Sequence, residues 1–574
     1  MTSLPESRPG QKQLGLVIDL DICVGCHACA TACKEWNASG HMGPLPDFNP
    51  YGDAAWGVWF NRIHSFEEGE GEGARTIHFP KSCLHCEEPA CVTVCPTGAS
   101  YKRAEDGIVL VNESICIGCK LCSWACPYGA REFDADEGVM KKCTLCIDRI
   151  YNERLVPEDR QPACVMVCPV NARHFGNLGD PQSEVSEMVA ARRGNNLMPE
   201  LGYKPVNKYL PPRSARMASG QFGAANAVVP SDPASPTDLL LRWVDRLHSR
   251  SIRAVPKPSM HPALSIIFFT TSSGAGFALL ILLGIGTPLG LLPASQAFGF
   301  AALASAVLLA ASGLASSVLH LGRPERAWRA FSQWRSSWLS REGVFSVFTF
   351  LPTAIFGIGW VFFGVTGGLV GLCGILAAAL AAATIYCTGM IYASLRPIHQ
   401  WHNSWVVPNY LALGLMSGVL VLDLLVRLWV VRPWGVALLT FIVTLAAWWM
   451  KERYWRFIGA TSARSSVASA TSLGSRGKVR ILETPHTEEN FLLKEMGFGV
   501  ARKHRVRLRR VARLAGFVVP ALLTLFALLF GGMIGVVMAA LAVASASVGL
   551  VAERWLFFAE AKHTVTLYYG AEAV

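Results

Sequence analysis

A small α+β module followed by an all-α, polytopic membrane bundle of eight transmembrane helices is the fold class that the sequence predicts. Three observations carry the prediction. Of the 18 cysteines, 16 lie between Cys23 and Cys168. Short β-like runs stand ahead of the first three cysteine clusters, at Leu16-Val17-Ile18, Thr76-Ile77-His78-Phe79 and Ile108-Val109-Leu110-Val111. From about Pro262 onward, apolar residues gather in long runs with almost no charge, in a chain that is 52% hydrophobic and 16% charged overall. A length of 574 residues would by itself give three or four domains. The composition shift instead separates one soluble module from one membrane module.

The cysteines form four motifs. The first is Cys23-x2-Cys26-x2-Cys29-x3-Cys33, and the second is Cys83-x2-Cys86-x4-Cys91-x3-Cys95-Pro96. The third is Cys116-x2-Cys119-x2-Cys122-x3-Cys126-Pro127. The fourth is split between Cys143-x2-Cys146 and Cys164-x3-Cys168-Pro169. A 4Fe–4S cubane needs four thiolates, one per iron. A C-x2-C-x2-C loop wraps three corners, and the cysteine three residues on points to a neighbouring cluster. Zinc is the rival for a lone C-x2-C pair, but it rarely takes four cysteines from one short run. Disulfides need an oxidising compartment. Residues 1–20 carry no apolar core, no small-residue cleavage site and no twin-arginine pair, so a reducing compartment and metal ligation are expected. Residues 15–180 therefore read as an α+β ferredoxin-like tandem iron–sulfur module of two nested units, after a disordered tail over residues 1–14.

These motifs and their flanks, over about residues 12–215, resemble the four-cluster ferredoxin subunits of the molybdopterin oxidoreductase superfamily, the dimethyl sulfoxide reductase kind. The resemblance implies that the outer motifs pair with each other and the inner two likewise. One cluster then takes Cys23, Cys26, Cys29 and Cys168, and a second takes Cys143, Cys146, Cys164 and Cys33. A third takes Cys83, Cys86, Cys91 and Cys126, and the fourth takes Cys116, Cys119, Cys122 and Cys95. In nitrate-reductase relatives a tryptophan replaces one ligand of the third motif and gives a 3Fe cluster. Cys119 stands at that position here, so a full 4Fe–4S cluster is expected.

Residues 181–260 are polar and rich in Pro, Ser and Gly, and read as an extension and linker, part of which packs back on the cluster module. Eight apolar segments follow within 261–574, at about 263–284, 295–319, 343–365, 367–393, 406–430, 434–450, 514–531 and 533–552. Most approach the roughly 20 residues that cross a bilayer, and their small residues suit helix packing in lipid. Between the second and third lies His320-Leu321-Gly322-Arg323-Pro324-Glu325-Arg326-Ala327, continuing to Ser340-Arg341-Glu342. This stretch resembles the membrane anchor of dimethyl sulfoxide reductases, which also has eight spans. The resemblance implicates His320 and Glu342 in quinol binding, and Arg326 in the same stretch is a further candidate. The chemistry agrees: quinone redox needs an apolar slot, a hydrogen-bond partner for a quinone oxygen and a proton relay, which a histidine and a carboxylate at a membrane boundary can supply. The plainer alternatives are that His320 caps its helix and that Glu342 pairs with Arg341 or Arg326. Haem is not expected, because His399, His402 and His563 lie outside the apolar segments. Asp423 and Arg427, four apart, read as a helical ion pair, and Cys373 and Cys387 as packing residues.

The formal charge of +11 sits mainly in loops between spans, most densely at Lys503 to Arg513, which argues for a topology determinant at anionic lipid rather than nucleic-acid binding. Arginines before the first span (Arg242, Arg246, Arg250) and after the second (Arg323, Arg326, Arg329) lie on one side. By the positive-inside rule, both termini and the ferredoxin module face the cytoplasm of an inner-membrane, multi-pass protein. The expected role is that of an electron-transfer and membrane-anchor subunit without substrate chemistry of its own. It would link a cytoplasmic molybdopterin-containing catalytic subunit with the quinone pool. Among relatives of this kind, the cytoplasm-facing arrangement fits sulfite dehydrogenase best. A sulfoxide or polysulfide reductase subunit, or an ion-coupled quinone-linked module, are the alternatives. Four cubanes predict roughly sixteen iron atoms per chain. Iron and sulfide analysis of anaerobically purified protein checks this, and a value near half of it would refute the ligand assignment.

Overall fold

The computed structural model describes residues 4–5, 11–37, 58–213, 264–483, 491–495, 504–572 and 574. Most of the expected 1–14 tail and the 214–260 part of the linker lie outside these residues.

The soluble module is built from short strands that bring distant cysteine motifs together. β1 (Leu14–Asp19) precedes the first motif and pairs antiparallel with β8 (Arg173–Asn177), which follows the fourth. This pairing sets the outer motifs side by side. β4 (Ser100–Lys102) and β5 (Val109–Val111) form a hairpin between the second and third motifs, and β6 (Glu132–Asp134) and β7 (Val139–Lys141) form another after the third. Residues 181–213 fold back on this module. A helix at Glu184–Arg192 is capped by Ser183, whose side chain accepts from the Ser186 N–H, and β9 (Lys208–Leu210) adds to β1 in parallel.

All eight apolar segments are helices long enough to cross a membrane: Leu264–Gly286, Gln296–Val318, Trp338–Phe363, Gly368–Ala393, Val406–Arg427, Trp434–Ala460, Arg505–Leu529 and Gly532–Ala559. Four of them outrun their apolar runs, the third by starting at Trp338 and so taking in Arg341 and Glu342. The sixth continues ten residues past 450 because Lys451 is buried against Glu553 of the eighth rather than exposed. The seventh takes in the basic run Arg505–Arg513, where Arg509 pairs with Glu560 and Arg513 with Glu452. The eighth runs on to Ala559 and so carries Glu553, with Glu560 just beyond its end. A charged residue is tolerated at a helix end when a partner neutralises it, so hydropathy alone ends these spans too early.

The membrane half also reaches into the soluble half. β10 (Val479–Glu483), from the loop between the sixth and seventh spans, pairs antiparallel with β2 (Arg62–Glu68), which pairs in turn with β3 (Arg75–Lys81). Glu68 latches this loop. Its buried carboxylate accepts from Arg75, from the N–H of Gly474 at 2.6 Å and from the Ser475 hydroxyl at 3.3 Å. Burial opposes its ionisation, but these bonds win and hold its carboxyl below the ordinary value. A carboxyl whose folded value is depressed stabilises above its unfolded value, about 4.3, and loses that stabilisation only as pH falls through the lower folded value. The latch is therefore fully made at neutral pH. Glu68→Ala should cost about 1–3 kcal/mol locally and speed tryptic cleavage at Arg476 and Lys478, with iron content unchanged.

Candidate electron-relay and quinone site

The first C-x2-C loop of each motif has a residue in the left-handed region two positions after its first cysteine: Gly25, His85, Gly118 and Leu145. That turn aims backbone N–H groups inward, and the N–H of His85, Gly118 and Leu145 donate to Cys83, Cys116 and Cys143 Sγ at 3.4–3.5 Å. Successive N–H groups converging this way make a pocket for negative charge. The Cys-Pro segments repeat a second device. In Cys95-Pro-Thr-Gly-Ala-Ser, Cys126-Pro-Tyr-Gly-Ala-Arg and Cys168-Pro-Val-Asn-Ala-Arg, the residue three after cysteine (Gly98, Gly129, Asn171) is left-handed. The chain then returns an N–H toward the sulfur, as Ala172 does to Cys168 at 3.2 Å.

The thiols gather in four sets. Cys23 neighbours Cys29 and Cys168, and Cys33 neighbours Cys143, Cys146 and Cys164. Cys86 neighbours Cys83, Cys91 and Cys126, and Cys122 neighbours Cys95, Cys116 and Cys119. Among the described residues no three His, Cys, Asp or Glu side chains are placed to hold a single metal ion. Burial pushes the bare thiols up, Cys119 and Cys143 to about 12 and Cys126 and Cys146 to about 11. Such groups hold thiolate charge at neutral pH when a bound metal compensates it. All 16 are free of disulfides. The donor set therefore fits iron–sulfur clusters.

Two arginines that the cysteine pattern did not announce lie between the sets. Arg173 is buried among Cys29, Cys164 and Cys33. Arg131, at the equivalent place in the repeat, is buried among Cys91, Cys122, Cys83 and Cys126 and donates to Cys91 Sγ at 2.8 Å and Ser100 Oγ at 2.7 Å. Burial works against both charges, yet the thiolates raise each guanidinium above its ordinary value, so both stay cationic. The recurring Cys-Pro-x-x-Ala-Arg was the signal for them. With Cys143 beside Cys83, the sets form a line: Cys23's, Cys33's, Cys83's and Cys119's. Exposed apolar residues flank the first set, among them Ile22, Val24, Met166 and Val167, and Cys26 itself is exposed.

The fourth set lies against the membrane half. Gly322 sits so close that an added Cβ would lie 2.1 Å from the Gly138 carbonyl, and one at Gly118 would lie 2.3 Å from the same atom. Bonds spread outward from this contact. The Arg323 N–H donates to the Ile117 carbonyl at 3.1 Å, Arg323 Nε to Glu137 O at 2.6 Å, and Ser337 Oγ to Val94 O at 2.7 Å. Arg326 is spent here too, donating to the carbonyls of Glu113 at 2.9 Å and Cys116 at 3.1 Å. It clamps the modules and does not line the cavity described next. On the other flank, His563 donates to the Trp124 carbonyl at 3.0 Å and accepts from the Val565 N–H, and burial lowers it to about 4, so it is neutral.

Between the modules is a cavity of about 420 Å³. Cys119 and Trp124 form part of its soluble-side wall, and His320, Phe331, Glu342 and Tyr392 form part of its membrane-side wall. His320 follows the second span in a turn. Its Nδ1 is buried without a well-formed hydrogen bond, and burial lowers its pKa to about 4, so the imidazole is neutral. Glu342, just past the first turn of the third span, is buried, and its hydrogen-bond partner is the Thr388 hydroxyl. Arg341 instead donates to the carbonyls of Trp334 and Arg335, and among the described residues Glu342 forms no ion pair. The structure thus brings His320, Glu342 and Cys119 to one cavity and leaves Arg326 beside it. Asp423 and Arg427 are the buried helical pair that their spacing predicts, at 2.9 Å. His399 is engaged by Thr461 and His402 by the Ala393 carbonyl.

A model of the DMSO reductase anchor subunit (DmsC) family matches residues 259–570, more than half the chain. This protein belongs to that family. Residues 74–178 match a 4Fe-4S dicluster domain. The chain is 63% identical over 205 residues to a subunit of the sulfite dehydrogenase of Allochromatium vinosum, covering 36% of this chain and 85% of that one. It is 35% identical over 200 residues to a component of the anaerobic dimethyl sulfoxide reductase of Escherichia coli K12 (34% and 89%). To protein NrfC of the same strain it is 37% identical over 191 residues (33% and 77%). The chain is therefore an iron–sulfur and membrane-anchor subunit of the DMSO reductase family, multi-pass in the membrane, and membership implies a separate catalytic partner. In this anchor the glycine contact is the joint between the two halves. Gly322→Ala should destabilise it by about 1–3 kcal/mol through overpacking. Hydrogen exchange at the Gly322 and Arg323 amides should accelerate while the β1–β8 amides keep their protection.

Proposed function

We propose that this subunit carries electrons from a cytoplasmic, molybdopterin-containing partner that oxidises sulfite to quinone held in the cavity at His320 and Glu342. The observation that carries the reading is the shared wall: Cys119 lines the same cavity as His320 and Glu342. We assign four 4Fe–4S clusters to the sixteen cysteines, in the four sets given above, and when bound they supply one-electron relay between the partner and the cavity. The exposed apolar rim around Cys26 suits docking of the partner, since the set at that end is the most accessible. Sulfite as the partner's substrate is supported by the 63% identity to a sulfite dehydrogenase component, against 35% to a dimethyl sulfoxide reductase one. A cytoplasmic ferredoxin module is supported by the basic loops on its side of the bundle.

At the cavity the residues have distinct tasks. Neutral His320 can donate one ring N–H to a quinone oxygen, and its charge state is steady around pH 7 because its pKa lies near 4. Glu342 holds or releases a proton at the same wall, with Thr388 to stabilise either form. Phe331, Tyr392 and their apolar neighbours exclude water and receive the ring. Replacing His320 by Ala should remove a hydrogen bond worth about 1–3 kcal/mol. In membranes containing the partner, sulfite should still reduce the iron–sulfur signal, but reoxidation by decyl-ubiquinone should slow by about tenfold or more. Wild-type reoxidation in His320→Ala would refute the site. Failure of sulfite to reduce the wild-type signal would refute the substrate.

A further inference from the structure

Reducing one quinone to quinol takes two electrons and two protons, and both oxygens become hydroxyls. The proposed cavity is mostly apolar, so each proton must arrive through the protein. Thr388 is placed to pass it. Its hydroxyl lies within hydrogen-bond distance of both the Glu342 carboxylate and the Thr384 carbonyl. A hydroxyl has one proton to donate. When that proton goes to Thr384, Thr388 accepts from a protonated Glu342. When it goes to Glu342, it stabilises the carboxylate. The same threonine therefore suits both states of Glu342.

Thr388 also borders a second, smaller cavity of about 20 Å³, next to Tyr410 and Arg554. That is room for about one water. Among the described residues the buried Tyr410 hydroxyl makes no well-formed hydrogen bond; its side-chain neighbour is the Tyr392 hydroxyl, and a water in the small cavity would complete its bonding. Arg554 stacks over the Tyr410 ring at 3.9 Å and lies 3.5 Å from Glu553. Glu553 meets Lys451 in a fully buried pair. Beyond Lys451 lies Glu560, which holds Arg509 at 2.7 Å at the ferredoxin-side ends of the last spans. A buried pair so near the cavity has no structural need to be ionisable, since apolar residues of similar size pack as well or better.

We propose that Glu342 exchanges protons with the ferredoxin-side surface through Thr388, a single water held by Tyr410 and Arg554, and the Glu553–Lys451 pair. The proposal rests on the quinone reading of the larger cavity. In each step the Glu342 O–H bond breaks as a quinone O–H bond forms. Thr388 then gives its hydroxyl proton to Glu342 and takes one from the water, which is recharged from the Lys451 side. The two electrons would be supplied, one at a time, by a cluster held at the set that includes Cys119. Protons and electrons thus enter from the same side, and no charge crosses the bilayer.

The test uses full-length protein in membranes, with dithionite-reduced clusters and two oxidants. Decyl-ubiquinone needs protons, and ferricyanide needs none. Thr388→Val and Glu553→Gln should slow maximal reoxidation by decyl-ubiquinone about a hundredfold. Its half-saturating concentration and the ferricyanide rate should not change. Tyr410→Phe should slow it in the same sense, and Thr388→Ser, which keeps the hydroxyl, should restore it. Wild-type maximal rates in both Thr388→Val and Tyr410→Phe would overturn the route. A change confined to the half-saturating concentration would overturn it too, by assigning Thr388 to quinone binding. A wild-type protein that ferricyanide oxidises and decyl-ubiquinone does not would overturn the quinone reading, and the route with it.

Discussion

Backbone-to-backbone contact at Gly118, Gly138 and Gly322 is the constraint on which the rest of the molecule turns. Two of the three hold positive φ, and none has room for a methyl group against its neighbour's backbone. Because no side chain intervenes, the loop after the second span lies directly on the loop that carries Cys116 and Cys119. Electron transfer weakens steeply with distance, so on the proposed reading this thinness would favour transfer across the joint, which a larger, side-chain-filled interface would slow. Arg323, Arg326 and Ser337 spend their donors on carbonyls of the soluble module, which fixes orientation as well as separation. A second clamp, from β10 and the Glu68 latch, and a third, from His563 to Trp124, keep the two halves from rocking about that point.

Buried charge is handled by the same rule in both halves. In the soluble module, Arg131 and Arg173 stand where thiolates from two sets converge, so the positive charge offsets the negative charge that burial would otherwise forbid. In the membrane half, Lys451 with Glu553 and Asp423 with Arg427 pair within the bundle. Glu342 breaks the pattern: it is buried beside a cavity with the Thr388 hydroxyl and, among the described residues, no ion-pair partner. A carboxyl so placed is costly to ionise without a partner, which is the property a group needs if it is to take up and release a proton on demand.

Sequence alone carried the two-module organisation, because it rests on local signals. Thiolate spacing is a matter of a few residues, and a span is a run of about 20 apolar ones, so neither depends on long-range folding. His320 and Glu342 were legible through a short motif, and the eight spans through hydropathy. What only the tertiary structure decided are the relations between distant segments. It set Cys119 in the wall of the same cavity as His320, turned Arg326 from that cavity to a clamp, and extended the sixth and seventh spans through charged residues whose partners lie on other elements. It also brought a strand from the 479–483 loop into the soluble sheet and placed Thr388 between two cavities. None of these is written in a local pattern: a lysine inside a helix, a threonine on a span or a glycine in a loop acquires its meaning from the group that packing brings to face it.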